Sequence, residues 1–377
     1  MDFKLSEEQQ MLKDTVARLV RDTYNFERRE AYARSALGHG ADFWQQLSEL
    51  GLCAVPFAEA QGGFGGSGVD NMLVMTELGR GLCLEPYLAS QIHAGGLLAQ
   101  LAESDAHQAL LKDVVAGQAQ LALACEEAQS HYCLEDVHTR AELRGGSWHL
   151  TGCKVVVIGG GSAARLLVSA RTQGGERDLH GISLFLVDPA GAGVNRREHA
   201  NIDGPRACQV LLDGAPGQLL GEIGEALPVL RYHQGRAIAA QCAEAVGSMQ
   251  VACELTLDYL KTRKQFGAPI GKFQVLQHRM ADMQAELEMA TSMAILAACA
   301  ADQPDSVART QRLSAAKFIV TRAGRMIAEQ AIQLHGGIGM TWEYVLAHHA
   351  KRLVMLSHQL GDDDHHLQAY AALLSAA

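Results

Sequence analysis

A chain of 377 residues spans two or three domains at roughly 100–200 residues each. Hydrophobic residues make up 48% of it and charged residues 20%, which excludes a disordered, collagen-like or disulfide-dense protein. With 32 Lys and Arg against 42 Asp and Glu the formal net charge is -10; no nucleic acid is expected as a partner, since that takes Lys and Arg to replace phosphate counterions.

The first 118 residues read as a helical domain. Ser6, with Gln9 three positions on, forms a capping box, and Met11, Val16, Leu19 and Val20 line one side of the helix behind it. A second helix is expected through Phe43, Leu47 and Leu50, stopping at Gly51. The run GGFGGSG (62–68) holds five glycines in seven residues, which excludes regular structure and reads as a linker. Between 119 and 218 the texture changes to short β-rich runs with Gly-rich connections: LALAC (121–125), VHTRAEL (137–143), SWHLTG (147–152), KVVVIGG (154–160), ARLLVSART (164–172) and ISLFLVD (182–188). From 219 to 377 longer helices return, at about 225–262, 271–300 and 305–334; HGGIG (335–339) interrupts before a last short helix. Helices, strands and helices in that order, without βαβ alternation, argue against a doubly wound nucleotide-binding sheet, and no GxGxxG follows a strand.

No apolar run reaches the roughly 18 residues of a membrane-spanning helix, and the start, MDFKLSEEQQ, carries no apolar signal-peptide core. Nine cysteines stand singly without a CxxC pair, the pattern of reduced thiols in a cytoplasmic protein. Two segments carry possible chemistry. In TRKQFGAPIGKFQ (262–274), Arg263 and Lys264 read either as the dipole-favoured basic end of a helix stopped by Gly267, or as a phosphate contact beside Phe266 packing on a flat ring. In QLHGGIGMTWEY (333–344), Gly336, Gly337 and Gly339 free the backbone for close approach and Gln333 offers a donor. DDDHHL (362–367) reads as a solvated loop rather than a metal site, and His348 and His349 as helix-surface residues.

Taken in order, these segments resemble the acyl-CoA dehydrogenase family over nearly the whole chain. Within it, LGLCAVPFAEAQGGFGG (50–66), EAQSHY (127–132), LKTRKQFGAPIGKFQVLQHRMADM (260–283) and LGDDDHHL (360–367) are most similar to the pimeloyl-CoA dehydrogenase small subunit and to subunits of heteromeric steroid side-chain acyl-CoA dehydrogenases. The resemblance implies an α+β multidomain fold: a helical N-domain, a small β-barrel-like middle domain and a C-terminal four-helix bundle. It also implies FAD and an acyl-CoA substrate. A glutamate removes the α-proton while the β-hydrogen passes to the flavin as hydride, giving a trans-2-enoyl-CoA. Electrons then leave to an electron-transfer flavoprotein. By the same resemblance Arg263, Gln265 and Phe266 contact the FAD of a neighbouring subunit, Gln333, Gly336 and Gly337 its adenine end, and Glu127 and Ser130 the segment along flavin and thioester. A tetramer is expected, and GGFGGSG matches a loop near the acyl pocket.

The departures from the family are as informative. Val156, Val157 and Ile158 stand where the family has Trp-Ile-Thr/Ser. The two positions that supply the glutamate base in the family are Leu360 and Gly235 here, the latter followed by Arg236, a candidate substrate contact. Three readings stay open: a subunit of a heteromeric enzyme whose homologous partner brings the Glu; a self-sufficient enzyme using Asp362 as base; and a non-catalytic FAD- and acyl-CoA-binding scaffold.

Overall fold

Ser6 accepts a hydrogen bond from the Gln9 amide and the Gln9 side chain accepts from the Ser6 amide, so the expected capping box opens helix α1 (Glu7–Thr23). Val16 and Val20 of that helix are buried, but Met11 is 64% exposed: the apolar stripe reaches the core only in its second half. The computed structural model describes residues 4–375. After α1 the elements are α2 (Phe26–Arg34), α3 (Ala41–Glu49), α4 (Gly68–Arg80), a π-helical turn (Leu88–Ala94) leading into α5 (Gly95–Leu101), and α6 (Asp105–Val115). Seven strands follow: β1 (Leu121–Ala124), β2 (Arg140–Arg144), β3 (Ser147–Ile158), β4 (Arg165–Arg171), β5 (Ile182–Val187), β6 (Val194–Ala200) and β7 (Arg206–Leu220). Then come α7 (Ala226–Thr262), the two-residue strands β8 (Lys264–Gln265) and β9 (Ala268–Pro269), α8 (Gln274–Ala301), α9 (Val307–His335), α10 (Val345–Ser357) and α11 (Asp363–Ser375). None of the described helices is long and apolar enough to cross a membrane.

Contacts gather the chain into two compact units, one of Met1–Glu30, Ser67–Cys83 and Ile238–Ala377, the other of Ala31–Gly66 and Leu84–Ala237. In the second unit the sheet closes on itself. Strand β4 pairs β2, β2 pairs β3, β3 pairs β7, β7 pairs β5, and β5 returns to β4, with β1 beside β4 and β6 beside β7. Closure leaves no free edge in the ring, and the side chains of Leu150, Val168, Phe185, Val187, Val210 and Leu212 fill it. A second core, with Phe57, Leu97, Leu98, Val114, Leu184 and Leu230, joins helices of this unit to the sheet. Two strands of the sheet escape the sequence pattern. VNRREHA in β6 is polar and mostly exposed, and β7, the strand that pairs three others, carries the turn-like run DGAPG in its middle. SWHLTG and KVVVIGG are one strand, bent by register shifts.

GGFGGSG is not a linker. The amides of Gly65 and Gly66 donate to the carbonyls of Phe57 and Val55 at 2.8 and 3.0 Å, folding the glycines back on the segment before them. Ser67 then caps α4 in a second capping box, with Asp70. Leu50, expected on the apolar face of α3, is exposed, whereas Phe43, Trp44 and Leu47 are buried.

In the first unit α7 to α10 pack around Met249, Leu287, Leu313, Val320, Ile327 and Leu353, and α11 lies against α9. His348 and His349, expected on a helix surface, are inside. Residues 346–350 of α10 are buried in succession, all round the helix, which carries both histidines in with Leu346, Ala347 and Ala350; only farther along does a face open, at Val354. His348 donates from Nε2 to the Trp342 carbonyl at 2.8 Å, and His349 Nδ1 meets Ser248 Oγ at 2.9 Å, its pKa pushed down to about 3 by burial. DDDHHL is likewise no solvated loop: Asp363 opens α11 and His366 is buried.

Helices α4 and α7 touch backbone to backbone. A Cβ on Gly247 would lie 2.0 Å from the Thr76 carbonyl oxygen, and one on Gly79 would lie 2.2 Å from that of Glu244. Close-packed interiors do not yield by such amounts without main-chain movement. Gly247→Ala is therefore expected to destabilise the protein by about 2 kcal/mol or more, read as a lower denaturant midpoint; an unchanged midpoint would mean the crossing has slack.

Candidate functional site

Helix α7 ends at Thr262, and the next residue starts a hairpin. The Arg263 amide donates to the Tyr259 carbonyl at 2.8 Å and the Ile270 amide to the Arg263 carbonyl at 2.8 Å, closing the base of the β8–β9 pair. At its tip Phe266 and Gly267 both have positive φ, 52° and 78°, the pair of left-handed residues that a two-residue hairpin turn needs. Glycine adopts this freely; phenylalanine does so at a cost of about 1 kcal/mol. The Phe266 side chain is 93% exposed, with the Phe273 ring edge-on to it at 6.0 Å between centroids. The side chains of Arg263 and Lys264 are exposed and have no hydrogen-bond or ion-pair partner among the described residues. Gln265 turns its amide back to the Lys264 carbonyl.

The second predicted segment lies beside the first. Gln333 is exposed near the end of α9, and Gly336 leaves the helix at φ 68° into a short 3₁₀ turn, Gly336–Met340. A Cβ on Gly336 or Gly337 would meet nothing within 4 Å, so the backbone there is open to a ligand. The two segments are joined from beneath, because the Tyr259 ring stacks on His335 with centroids 4.5 Å apart. Two unpaired cations, an exposed aromatic ring and bare glycine backbone are the donor set that a phosphate-bearing aromatic nucleotide requires, and in this respect the residues fit the ADP half of FAD.

Glu127 and Ser130 belong to the other unit and point inward. Glu127 Oε1 accepts from Lys154 Nζ at 2.7 Å and the Thr139 amide at 3.0 Å; Oε2 accepts from Gln129 and the His138 amide, both at 2.9 Å. Burial alone pushes this carboxyl up, but the Lys154 ammonium and the surrounding donors bring it down to about 2. Ser130 Oγ donates to the Glu127 carbonyl and accepts from the Glu127 amide. Both residues thus close the 127–139 loop on itself. Nearby, the Val155 amide donates to the Glu126 carbonyl at 2.9 Å, and the register shift between Lys154 and Val157 turns Val156 outward at φ 53°, 44% exposed. A β-branched residue in that region is a genuine outlier, and no periodicity in the sequence announces it.

The remaining candidates lie near α10 and α11 and on α7. Leu360 sits at φ 58° with its side chain packed against the helical core, followed by Gly361 at φ 97°. Asp362 Oδ1 accepts from the His365 amide at 2.8 Å, making the carboxylate the N-cap of α11. Lys317, fully buried, donates to the Leu356 carbonyl at 2.7 Å and to Gln241 Oε1. That places a cation on the C-terminal carbonyls of α10, a position sequence reasoning missed and that only the packing of α9 against α10 reveals. Gly235 is buried within α7 and Arg236 is half-buried. Among the described residues no group of three His, Cys, Asp or Glu side chains is placed to hold a metal ion.

The Glu127–Lys154 pair offers a direct test. Removing one charge of a buried pair strands the other, so Glu127→Gln is expected to cost about 3–5 kcal/mol of stability. Because the folded carboxyl titrates near 2, below its usual 4.5, its contribution is present at neutral pH and lost as pH falls from about 4.5 toward 2. The variant should lack that part of the acid-unfolding profile; identical acid limbs for both proteins would refute the assignment.

Family models agree with this architecture. The one described as "Acyl-CoA dehydrogenase, N-terminal domain" matches residues 6–118 and the one described as "Acyl-CoA dehydrogenase, C-terminal domain" matches residues 232–374. The chain is similar to the acyl-CoA dehydrogenase IpdE2 of Mycobacterium tuberculosis, at 32% identity over 92% of this chain and 91% of that one. It is also similar to 3-sulfinopropanoyl-CoA desulfinase of Paraburkholderia xenovorans, at 30% identity over 89% and 88%. Among solved structures, a variant of the steroid acyl-CoA dehydrogenase Tcur3481-Tcur3483 superposes with a TM-score of 0.88 at 28% identity over 98% of both chains. With a helical N-domain, a closed strand domain, a helical C-domain and both terminal family models matched, the chain belongs to the acyl-CoA dehydrogenase family, whose members are FAD-binding oxidoreductases.

Proposed function

We propose that this chain is one subunit of a heteromeric FAD-dependent acyl-CoA dehydrogenase, and that a homologous second subunit supplies the glutamate that removes the α-proton. The observation that carries this reading is the fate of the candidate bases. Leu360 packs its side chain on the helical core, Gly235 has none, and the Asp362 carboxylate is committed to capping α11. To act as a base, Asp362 would release the His365 amide and still fall one methylene short of a glutamate. A base misplaced by about 1 Å costs on the order of 100-fold in rate.

Bound FAD supplies the two-electron acceptor for the β-hydrogen. This chain's own part is to hold the nucleotide end of that cofactor. Arg263 carries the positive charge for its phosphates, Phe266 a face for its adenine, and Gln333, Gly336 and Gly337 donors and open backbone on the adjoining segment. These groups serve a neighbouring subunit's FAD, and the assembly is a tetramer that passes electrons to an electron-transfer flavoprotein. The two-component steroid enzyme among the relatives supports a large acyl group, of the kind met in side-chain β-oxidation of steroids.

A second reading has one observation in its favour: a relative of matching length is named as a desulfinase, so the family's fold also houses a reaction not named as a dehydrogenation. Release of sulfite from 3-sulfinopropanoyl-CoA by this chain alone would select it.

The deciding experiment is an anaerobic visible spectrum of the chain, alone and co-expressed with a homologous subunit, before and after acyl-CoA is added. The expected outcome is flavin bleaching only in the two-chain complex, with Asp362→Asn changing its rate by less than about twofold. Bleaching by the chain alone, abolished in Asp362→Asn, would overturn the reading in favour of a self-sufficient enzyme.

A further inference from the structure

Tyr259, His335 and Tyr344 form a cluster that none of the roles above uses. Tyr259 is on the last turn of α7 and its carbonyl receives the Arg263 amide, so the hairpin hangs from it. His335 is the last residue of α9, immediately before Gly336. Tyr344 returns beneath the loop once the 3₁₀ turn is complete. The Tyr259 and His335 rings are stacked at 4.5 Å with 26° between planes, and Tyr344 lies against the other ring edge at 5.3 Å.

Hydrogen bonding fixes the state of the central ring. His335 Nδ1 lies 2.8 Å from the Ala331 carbonyl, which can only accept, so Nδ1 carries the proton. Nε2 is then an acceptor, and the Tyr344 hydroxyl, 3.2 Å away, donates to it. The ring is neutral, in keeping with a pKa lowered by burial. Gly339 closes the loop against it: a Cβ there would stand 3.0 Å from His335 Cβ and 3.2 Å from Ile332 Cα. The loop therefore has its shape set by His335 on one side and Tyr344 on the other.

We propose that Tyr259, His335 and Tyr344 are positioning residues that lock the Arg263–Phe266 hairpin and the Gln333–Gly337 segment into one nucleotide-binding surface. This rests on the reading that those segments hold the ADP half of FAD. None of the three touches the ligand; they act by fixing the distance between the groups that do. A preformed site loses less freedom on binding than one assembled from two independent segments.

The test is equilibrium binding of FAD, and of ADP as competitor, to the full chain with its co-expressed subunit, followed by flavin fluorescence. Tyr344→Phe keeps the ring and loses the hydroxyl; Tyr259→Leu loses the stack; Tyr259→Phe keeps it. Tyr344→Phe and Tyr259→Leu are expected to weaken FAD and ADP binding about fivefold each, and Tyr259→Phe to restore the wild-type value. A general loss of fold would not be rescued selectively in this way. If the wild-type assembly binds FAD while Tyr344→Phe and Tyr259→Leu bind it equally well, the positioning role is wrong and the FAD reading stands. If the wild-type assembly binds neither FAD nor ADP, the FAD reading itself falls and the positioning role with it.

Discussion

The crossing of α4 and α7 at Gly79 and Gly247 is the constraint on which the first unit depends. With carbonyl oxygens 2.0 and 2.2 Å from where a Cβ would stand, the two main chains are in direct contact and the helices have one relative position rather than a range. Arg80 adds a bidentate pair with Glu254 at 3.0 Å on the same two helices, worth little by itself because it is partly exposed. Fixing the middle of a 37-residue helix fixes its end. That end carries Tyr259, and Tyr259 carries both the hairpin and the stack on His335. Precision at an exposed loop thus originates at two residues with no side chain.

The buried and helix-capping acids are spent on structure. Glu127 is saturated by four donors, Glu30 accepts from Arg29 and the Trp342 indole, Glu244 pairs with Arg352 at 2.6 Å, and Asp362 caps a helix. A general base needs a lone pair within reach of substrate and a pKa near the working pH. Glu127 fails on both counts, being closed in and held near 2. The cations are distributed in the opposite way. Arg263 and Lys264 stand exposed with no ion-pair partner among the described residues, which suits an anionic ligand and makes no provision for proton abstraction.

Much of this organisation is legible in the sequence, and what is not has physical reasons. The sequence of helices, strands and helices, the ends of α7, α8 and α9, and the Ser6 capping box follow from local periodicity and local hydrogen bonds. Strands β6 and β7 do not, because their order comes from partners far along the chain: VNRREHA is held by pairing with β7 rather than by an apolar face, and Pro216 and Gly217 sit in a strand whose neighbours tolerate them. His348 and His349 look like surface residues until the first turns of α10 are known to be enclosed. The two candidate segments were readable in the sequence, but their adjacency was not, since 76 residues lie from Tyr259 to His335 and it takes the folded chain to stack their rings. Asp362 was readable as an acid near the right place; that it caps α11 depends on where that helix begins.

The turn from Ser357 to Asp362 shows how shape and chemistry separate. Leucine at φ 58° costs about 1 kcal/mol relative to an extended backbone, so residue 360 does not choose this conformation for itself. It is imposed from both ends, by Lys317 on the Leu356 carbonyl at 2.7 Å and by His366, whose Nε2 donates to the Leu360 carbonyl at 2.8 Å while Asp362 caps the helix beyond. The ammonium of Lys317, drawn down to about 8 by burial, is kept in the core for the carbonyl it holds. A frame so constrained keeps its form whichever side chain occupies it. With leucine there, an apolar group fills the position and no proton can be taken up, which accords with a subunit that shapes a shared site and leaves the proton to its partner.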